Sequence, residues 1–96
     1  MQTSSLEVLA MFDETIQAYM ARLRGVNAVS DYAPILHTLK GAAAGVGAVG
    51  IATLARQAEQ ALKDGLPPQQ EAIDDIGIAV EEVRAFIATQ IVDLDD

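Results

Sequence analysis

The chain has no cysteine, no tryptophan and a single histidine, and its aromatic content is two tyrosines and two phenylalanines. Without cysteine there are no disulfides and no thiolate metal ligands. With one histidine, a multi-histidine zinc site within one chain is excluded as well. Positive charge is also scarce: six bases face fourteen acids, for a net charge of −8. That balance argues against nucleic-acid binding, which needs a basic footprint, and against docking on anionic membranes. No apolar run reaches the roughly 18 residues of a membrane span. The segment MQTSSLEVLAMFDE has no basic n-region, which argues against a secretory signal. A soluble, cytoplasmic domain is the expectation. Met1 and the acidic end favour a free-standing protein over an excised domain.

Ninety-six residues suit one domain with one small core. No alternation of β-branched residues lasts beyond a few positions, so strands are not expected. Helical spacing, by contrast, recurs four times. Ser4 and Glu7 have the spacing of a capping box. Leu9, Phe12, Ile16, Tyr19 and Leu23 then follow as one stripe, ended by Gly25 and Asn27. Ser30 or Asp31 is a suitable N-cap for a second helix. Pro34 falls in its first turn, and Tyr32, Leu36, Leu39, Ala43 and Val46 form its apolar face. The third carries Ile51, Leu54, Ala55, Ala58 and Leu62, and stops at Lys63-Asp64-Gly65.

Leu66-Pro67-Pro68 is the clearest loop. The fourth helix starts at Pro68 and buries Ile73, Ile76, Val80, Val83, Ile87 and Ile91. Asp93, Asp95 and Asp96 read as a fraying tail. The expected fold is an all-α, antiparallel up-and-down four-helix bundle, with helices at about 4–24, 30–46, 48–64 and 68–91. A half-bundle that dimerises into a four-helix core is the alternative. Phe12, Tyr19, Tyr32 and Phe86 are expected in the core. Asp74, Asp75, Glu81 and Glu82 read as the solvated face of the fourth helix.

The histidine stands in "LHTLKGAAAGVG", where Gly41 to Gly47 contains nothing larger than valine. Each glycine inside a helix costs about 1 kcal/mol against alanine, so the run needs a reason. At about 100° per residue from His37, the apolar face of the second helix centres near −150°. Ala33, Lys40, Gly41 and Ala44 fall within about 60° of the ring. His37 therefore points outward from a surface bare of large side chains, with one cation a turn away. An imidazole near neutral pH is largely uncharged and nucleophilic. This arrangement suits acceptance of a phosphoryl group from a docked protein, although a stray surface histidine beside tight-packing small residues fits the same spacing.

The pattern His37-Thr38-Leu39-Lys40-Gly41, then Gly47-Ala48, then Ile51, Ala55 and Ala58-Glu59, resembles the signature of histidine-containing phosphotransfer (HPt) domains. That family reads H-x-L-K-G with a glycine ten positions after the histidine. The match is dense from residue 36 to 62; the flanking helices agree in number and length only. Ala42 is small, as the family usually requires, and Ile51 departs from the commoner Leu.

The resemblance implies a monomeric phosphocarrier in a two-component phosphorelay, without enzymatic activity of its own. His37 would be phosphorylated at Nε2 by a receiver-domain aspartate and would pass the group to another receiver. Lys40 would pair with the phosphoryl oxygens, and Gly41 would leave room for the receiver's loops. No cofactor would be bound by this chain; the receiver would bring the divalent metal, usually Mg²⁺. Glu59 matches the position where the family places Gln or Glu to orient the imidazole. A solvated acid at the edge of the third helix's apolar face also fits the spacing, and the orienting role is the favoured one.

Ala33, Gly41, Ala44, Arg56 and Lys63 make up the expected docking surface. Glu at position 59 is more typical of chemotaxis kinases, which keeps open a substrate domain phosphorylated directly by a kinase. A helical adaptor that binds receiver or kinase domains without phosphotransfer is the third possibility. An enzyme proper is disfavoured, since neither a G-x-x-x-x-G-K loop nor a nucleophile elbow is present.

Overall fold

The computed structural model describes the backbone of residues 5–94 and the side chains of residues 6–90. Ser4 of the expected capping box, the side chain of Ile91 and those of Asp93, Asp95 and Asp96 lie outside the described residues. The elements are α1 (Ser5–Arg24), a single 3₁₀ turn (Val29–Asp31), α2 (Tyr32–Gly45), α3 (Val49–Lys63) and α4 (Gln70–Leu94), with no strand among the described residues.

The four helices pack as a ring. α2 meets α3, α3 meets α4, α4 meets α1 and α1 meets α2, while neither diagonal pair touches among the described residues. The stripes fill the centre. Phe12, Ile16, Met20 and Leu23 come from α1, Leu36, Leu39 and Ala43 from α2, Ile51 and Ala55 from α3, and Ile73, Ile76, Val80 and Ile87 from α4; all are buried. α2 and α3 make the most extensive contact. Their facing positions are mostly alanine, with Ala42, Ala43, Ala52, Ala55 and Ala58 all in or against the core. Small side chains let two backbones approach closely, and that closeness positions the site below.

Helix ends explain the loops. α2 stops with Ala48 N–H donating to the Ala43 carbonyl at 2.9 Å and Gly47 N–H to Ala44 at 3.2 Å. This pair of bonds is a Schellman motif, which requires a left-handed residue, and Gly47 supplies it with φ 78°. α3 ends the same way, with Leu66 N–H on Ala61, Gly65 N–H on Leu62, and Gly65 at φ 85°.

Several expectations are corrected. Neither Ser30 nor Asp31 caps α2 through its side chain: Asp31 stands at the N-cap position with helical backbone (φ −83°, ψ −16°). A capping side chain needs an extended residue there, and the preceding 3₁₀ turn has already curled the chain, with Asp31 N–H bonded to Ala28. Pro34 does sit in the first turn of α2, where its missing N–H has no intrahelical partner. α4 begins at Gln70, not Pro68. Leu66 and Pro67 each precede a proline, which drives them towards extended backbone and delays the helix. At its other end α4 runs on to Leu94, past the expected stop at residue 91.

Two expected core residues are outside. Val46 is 42% exposed because it caps α2 (φ −112°, ψ 7°), where the helical projection no longer applies. Phe86 is 60% exposed. Ile87, the next residue, is buried at 2%, so Phe86 is turned outward by its place about 100° around α4 and not by the length of the helix. Phe86 lines an open cleft of about 200 Å³ with Leu9, Phe12, Val46 and Val83, beside the α2–α3 turn. Tyr19 and Tyr32 are half-buried, and the Arg22 guanidinium lies 5.6 Å from the Tyr19 ring centroid.

Asp74, Asp75, Glu81 and Glu82 are exposed. Glu81 also accepts from Arg84, whose Nε donates to Asp13 on α1 at 3.1 Å and so ties α4 to α1.

These features give two expected outcomes in urea denaturation. Leu39→Ala, which empties a fully buried site, lowers stability by about 2–5 kcal/mol. Gly47→Ala places a side chain at positive φ and costs about 1–2 kcal/mol.

Candidate functional site

His37 is the sixth residue of α2, three positions after Pro34 and on the face away from Leu36 and Leu39, and its side chain is 69% exposed. Across from it on α3 stands Glu59, the one buried charged residue among those described, at 5% exposure. Its carboxylate has two donors, both from α2. His37 Nδ1 is 3.0 Å from Oε2, and Lys40 Nζ is 2.7 Å from Oε1. The i, i+3 spacing places both donors on one side of α2, and the alanine-lined α2–α3 contact brings α3 within reach.

The electrostatics follow from that geometry. The Lys40 ammonium bonded to Glu59 holds its carboxyl below the usual carboxylate range. Burial opposes this by disfavouring the charge, while the His37 hydrogen bond and the fields of Lys40 and Lys63 add to the lowering. An ionised carboxylate only accepts hydrogen bonds. Nδ1 is therefore the donor, and in the neutral ring Nε2 keeps its lone pair on the exposed side. No buried side-chain nitrogen or oxygen among the described residues lacks a partner.

The remaining expected site residues surround this trio. Ala33, Gly41 and Ala44 are exposed on α2. A Cβ added at Gly41 would meet nothing within 4 Å, so packing within this chain does not require glycine there. Arg56 and Lys63 are exposed on α3, one turn before and one turn after Glu59. Among the described residues no three of His, Asp and Glu converge in a way that would hold a metal ion. The feature absent from the sequence reading is the Lys40–Glu59 bond. The signal for it was an unmatched acid at the edge of the third helix's stripe and a lysine on the side of α2 nearest the ring.

A family model for the Hpt domain matches residues 7–86. The chain belongs to the Hpt domain family. Hpt domains are phosphocarrier modules of phosphorelays, in general not catalytic enzymes, and they work with receiver and kinase partners. No curated protein and no solved structure gives a significant match. In this Hpt domain no helix among the described residues is long and apolar enough to cross a membrane.

The depressed carboxyl of Glu59 sets a pH dependence. A group whose folded pKa is lowered contributes stability above its unfolded value, and that contribution fades as pH falls through the folded value. Against Glu59→Gln, wild type is therefore expected to hold its advantage in Tm at neutral pH. The advantage narrows below the ordinary glutamate value of 4.5. A Tm difference that stays constant from pH 7 to pH 3 would refute the charged network.

Proposed function

We propose that this protein is a histidine phosphocarrier in a two-component phosphorelay. His37 accepts a phosphoryl group from a receiver-domain aspartate and returns it to another receiver. The Nε2 lone pair attacks the phosphorus of the aspartyl phosphate, the bond from phosphorus to the carboxylate oxygen breaks, and the carboxylate leaves. The observation that carries this reading is the paired state of the imidazole: Nδ1 rests on a buried carboxylate while the opposite edge of the ring is open to solvent. Glu59 acts as the orienting group, fixing the tautomer in the way a carboxylate behind a catalytic histidine does.

Lys40 pairs with the phosphoryl oxygens in this reading, exchanging one anionic oxygen, Glu59 Oε1, for another. The receiver brings the divalent metal, Mg²⁺, and this chain binds no cofactor. Ala33, Gly41 and Ala44 leave the space into which the receiver's loops fit, flanked by Arg56 and Lys63. The architecture we infer with it is a monomeric, single-domain, antiparallel up-and-down bundle working in the cytoplasm. Support for the antiparallel order is that short loops at 46–48 and 64–69 join helices that pack side by side.

Glu rather than Gln at position 59 favours a second reading, a domain phosphorylated directly by a kinase of the chemotaxis type. The two part in one experiment. Incubation with a phosphorylated receiver and Mg²⁺ is expected to give label that is acid-labile and alkali-stable, and that disappears in His37→Gln. Labelling by a kinase's ATP-binding domain with no receiver present supports the second reading instead. No label from either source leaves an adaptor that binds without phosphotransfer.

Two substitutions test the assigned roles. Glu59→Ala lowers the transfer rate on the order of 10²-fold, the usual scale for losing control of a proton in the transition state. Gly41→Gln stabilises the fold by up to about 1 kcal/mol, since glutamine is the better helix former. It nevertheless slows transfer, because the added side chain stands where the partner lands. Urea melts and single-turnover transfer rates on the same samples check both.

A further inference from the structure

Glu59 has two hydrogen-bonded partners on α2, and they differ in charge. Lys40 Nζ, 2.7 Å from Oε1, is a cation. The neutral imidazole, whose Nδ1 is 3.0 Å from Oε2, is not. At 5% exposure the carboxylate has little water to replace either partner. A buried carboxylate is costly to keep ionised unless a cation stands against it. In the resting protein Lys40 fills that place.

Phosphoryl transfer changes this balance. When the Nε2 lone pair forms the bond to phosphorus, Nδ1 still carries its proton, and the ring becomes an imidazolium with the phosphoryl group on Nε2. Lys40 turns to the phosphoryl oxygens at the same step. Glu59 thus loses one cation as it gains another, on the ring atom that already faces Oε2. On the return step the electron pair of the P–N bond goes back to Nε2, and the ring leaves as a neutral imidazole with its proton still on Nδ1. Had Nδ1 lost that proton, the ring would have to leave as an imidazolate, a far poorer leaving group.

Resting on the phosphocarrier reading, we infer that Glu59 is the counter-ion of two cations in turn, Lys40 in the resting protein and the phosphorylated ring after transfer, and that its charge keeps the proton on Nδ1 through the whole cycle. This duty differs from orientation, which the uncharged oxygen of a glutamine side chain performs as well. The other charges around the ring do not perform it. α2 adds Lys40, and α3 adds Arg56 and Lys63, exposed one turn either side of Glu59. These are bases, and they disfavour a second cation. Towards α1, Arg22 and Asp31 line a separate open cleft with Thr38, and α4 does not touch α2 among the described residues. Glu59 alone of these groups bonds the ring. An opposite charge in contact strengthens the ring's hold on its proton, which is then lost only at higher pH.

The test separates charge from orientation. Phosphoramidate, a small phosphodonor, labels wild type and Glu59→Gln, and ¹⁵N NMR follows the protonation of Nδ1 in the phosphorylated ring from about pH 5 to about pH 9. The same samples then return the group to one receiver with Mg²⁺ in single turnover. The wild-type ring is expected to keep its proton to a pH about one unit or more above the variant's. The ratio of wild-type to variant return rates rises roughly tenfold or more across that range, and the receiver's own pH dependence cancels in the ratio. Equal midpoints and a ratio that does not change with pH overturn the counter-ion role and leave Glu59 as an orienting group only. Where Glu59→Gln does not fold, labelled wild type unfolded in urea is the reference, since its ring has no carboxylate behind it; a folded ring that titrates with the unfolded one overturns the inference. Failure of phosphoramidate and receiver alike to label His37 in wild type overturns the phosphocarrier reading, and this inference with it.

Discussion

A carboxylate almost removed from water, shared between two donors on a neighbouring helix, is the interaction on which the rest of the site depends. Burying an ionised acid is costly unless its oxygens are paired. Glu59 meets that condition only because α2 and α3 run close enough for His37 and Lys40 to reach across. The alanines along the α2–α3 contact are thus part of the chemistry. A leucine in place of Ala43 or Ala55 would hold the helices apart and leave a charge without partners. The glycine and alanine content that looks like weak helix material is what lets the backbones come together.

The same carboxylate divides the imidazole into two ends with different duties. Nδ1 faces the protein and is bonded; Nε2 faces solvent and is not. Lys40 makes the division firm, because its ammonium keeps Glu59 ionised and therefore a pure acceptor. Stability alone gives little reason for such an arrangement, since a well-packed apolar residue at position 59 would serve the fold as well or better. A buried charge retained beside an exposed nucleophile points to a task for the ring.

How far this was legible beforehand depends on whether one helix or two decide the matter. The stripes of α1, α3 and α4 are properties of single helices, and Ile16, Ile51, Ala55, Ile73, Ile76, Val80 and Ile87 are buried as their spacing implies. The outward direction of His37 follows from the same projection. Val46 fails it because it has left the helix, whereas Phe86 is not on the stripe of α4: it stands about 100° around the helix from the buried Ile87, and only its aromatic type suggests the core. Glu59 could not be resolved from its own helix at all. It lies about 80° from Ile51, at the edge of the stripe, where the adjoining helix decides between solvent and burial. The Lys40–Glu59 bond joins residues nineteen apart on different elements and belongs to packing, not to periodicity. α2 does start after Asp31, but the Asp31 side chain does not cap it, because the chain before it is already curled.

Net charge deserves the same distinction between average and place. A balance of −8 describes the molecule seen from afar, and at that range it disfavours anionic partners. Charges interact over a Debye length of about 10 Å at 0.1 M salt, less than the width of one helix with its side chains. On the α3 side of His37 the exposed bases are Arg56 and Lys63, while Glu59 is a buried carboxylate already paired with Lys40. Most exposed acids stand on α1 and α4, but Asp31 and Asp64 stand at the ends of α2 and α3. The overall charge therefore does not describe the surroundings of the imidazole, where exposed bases and acids are mixed.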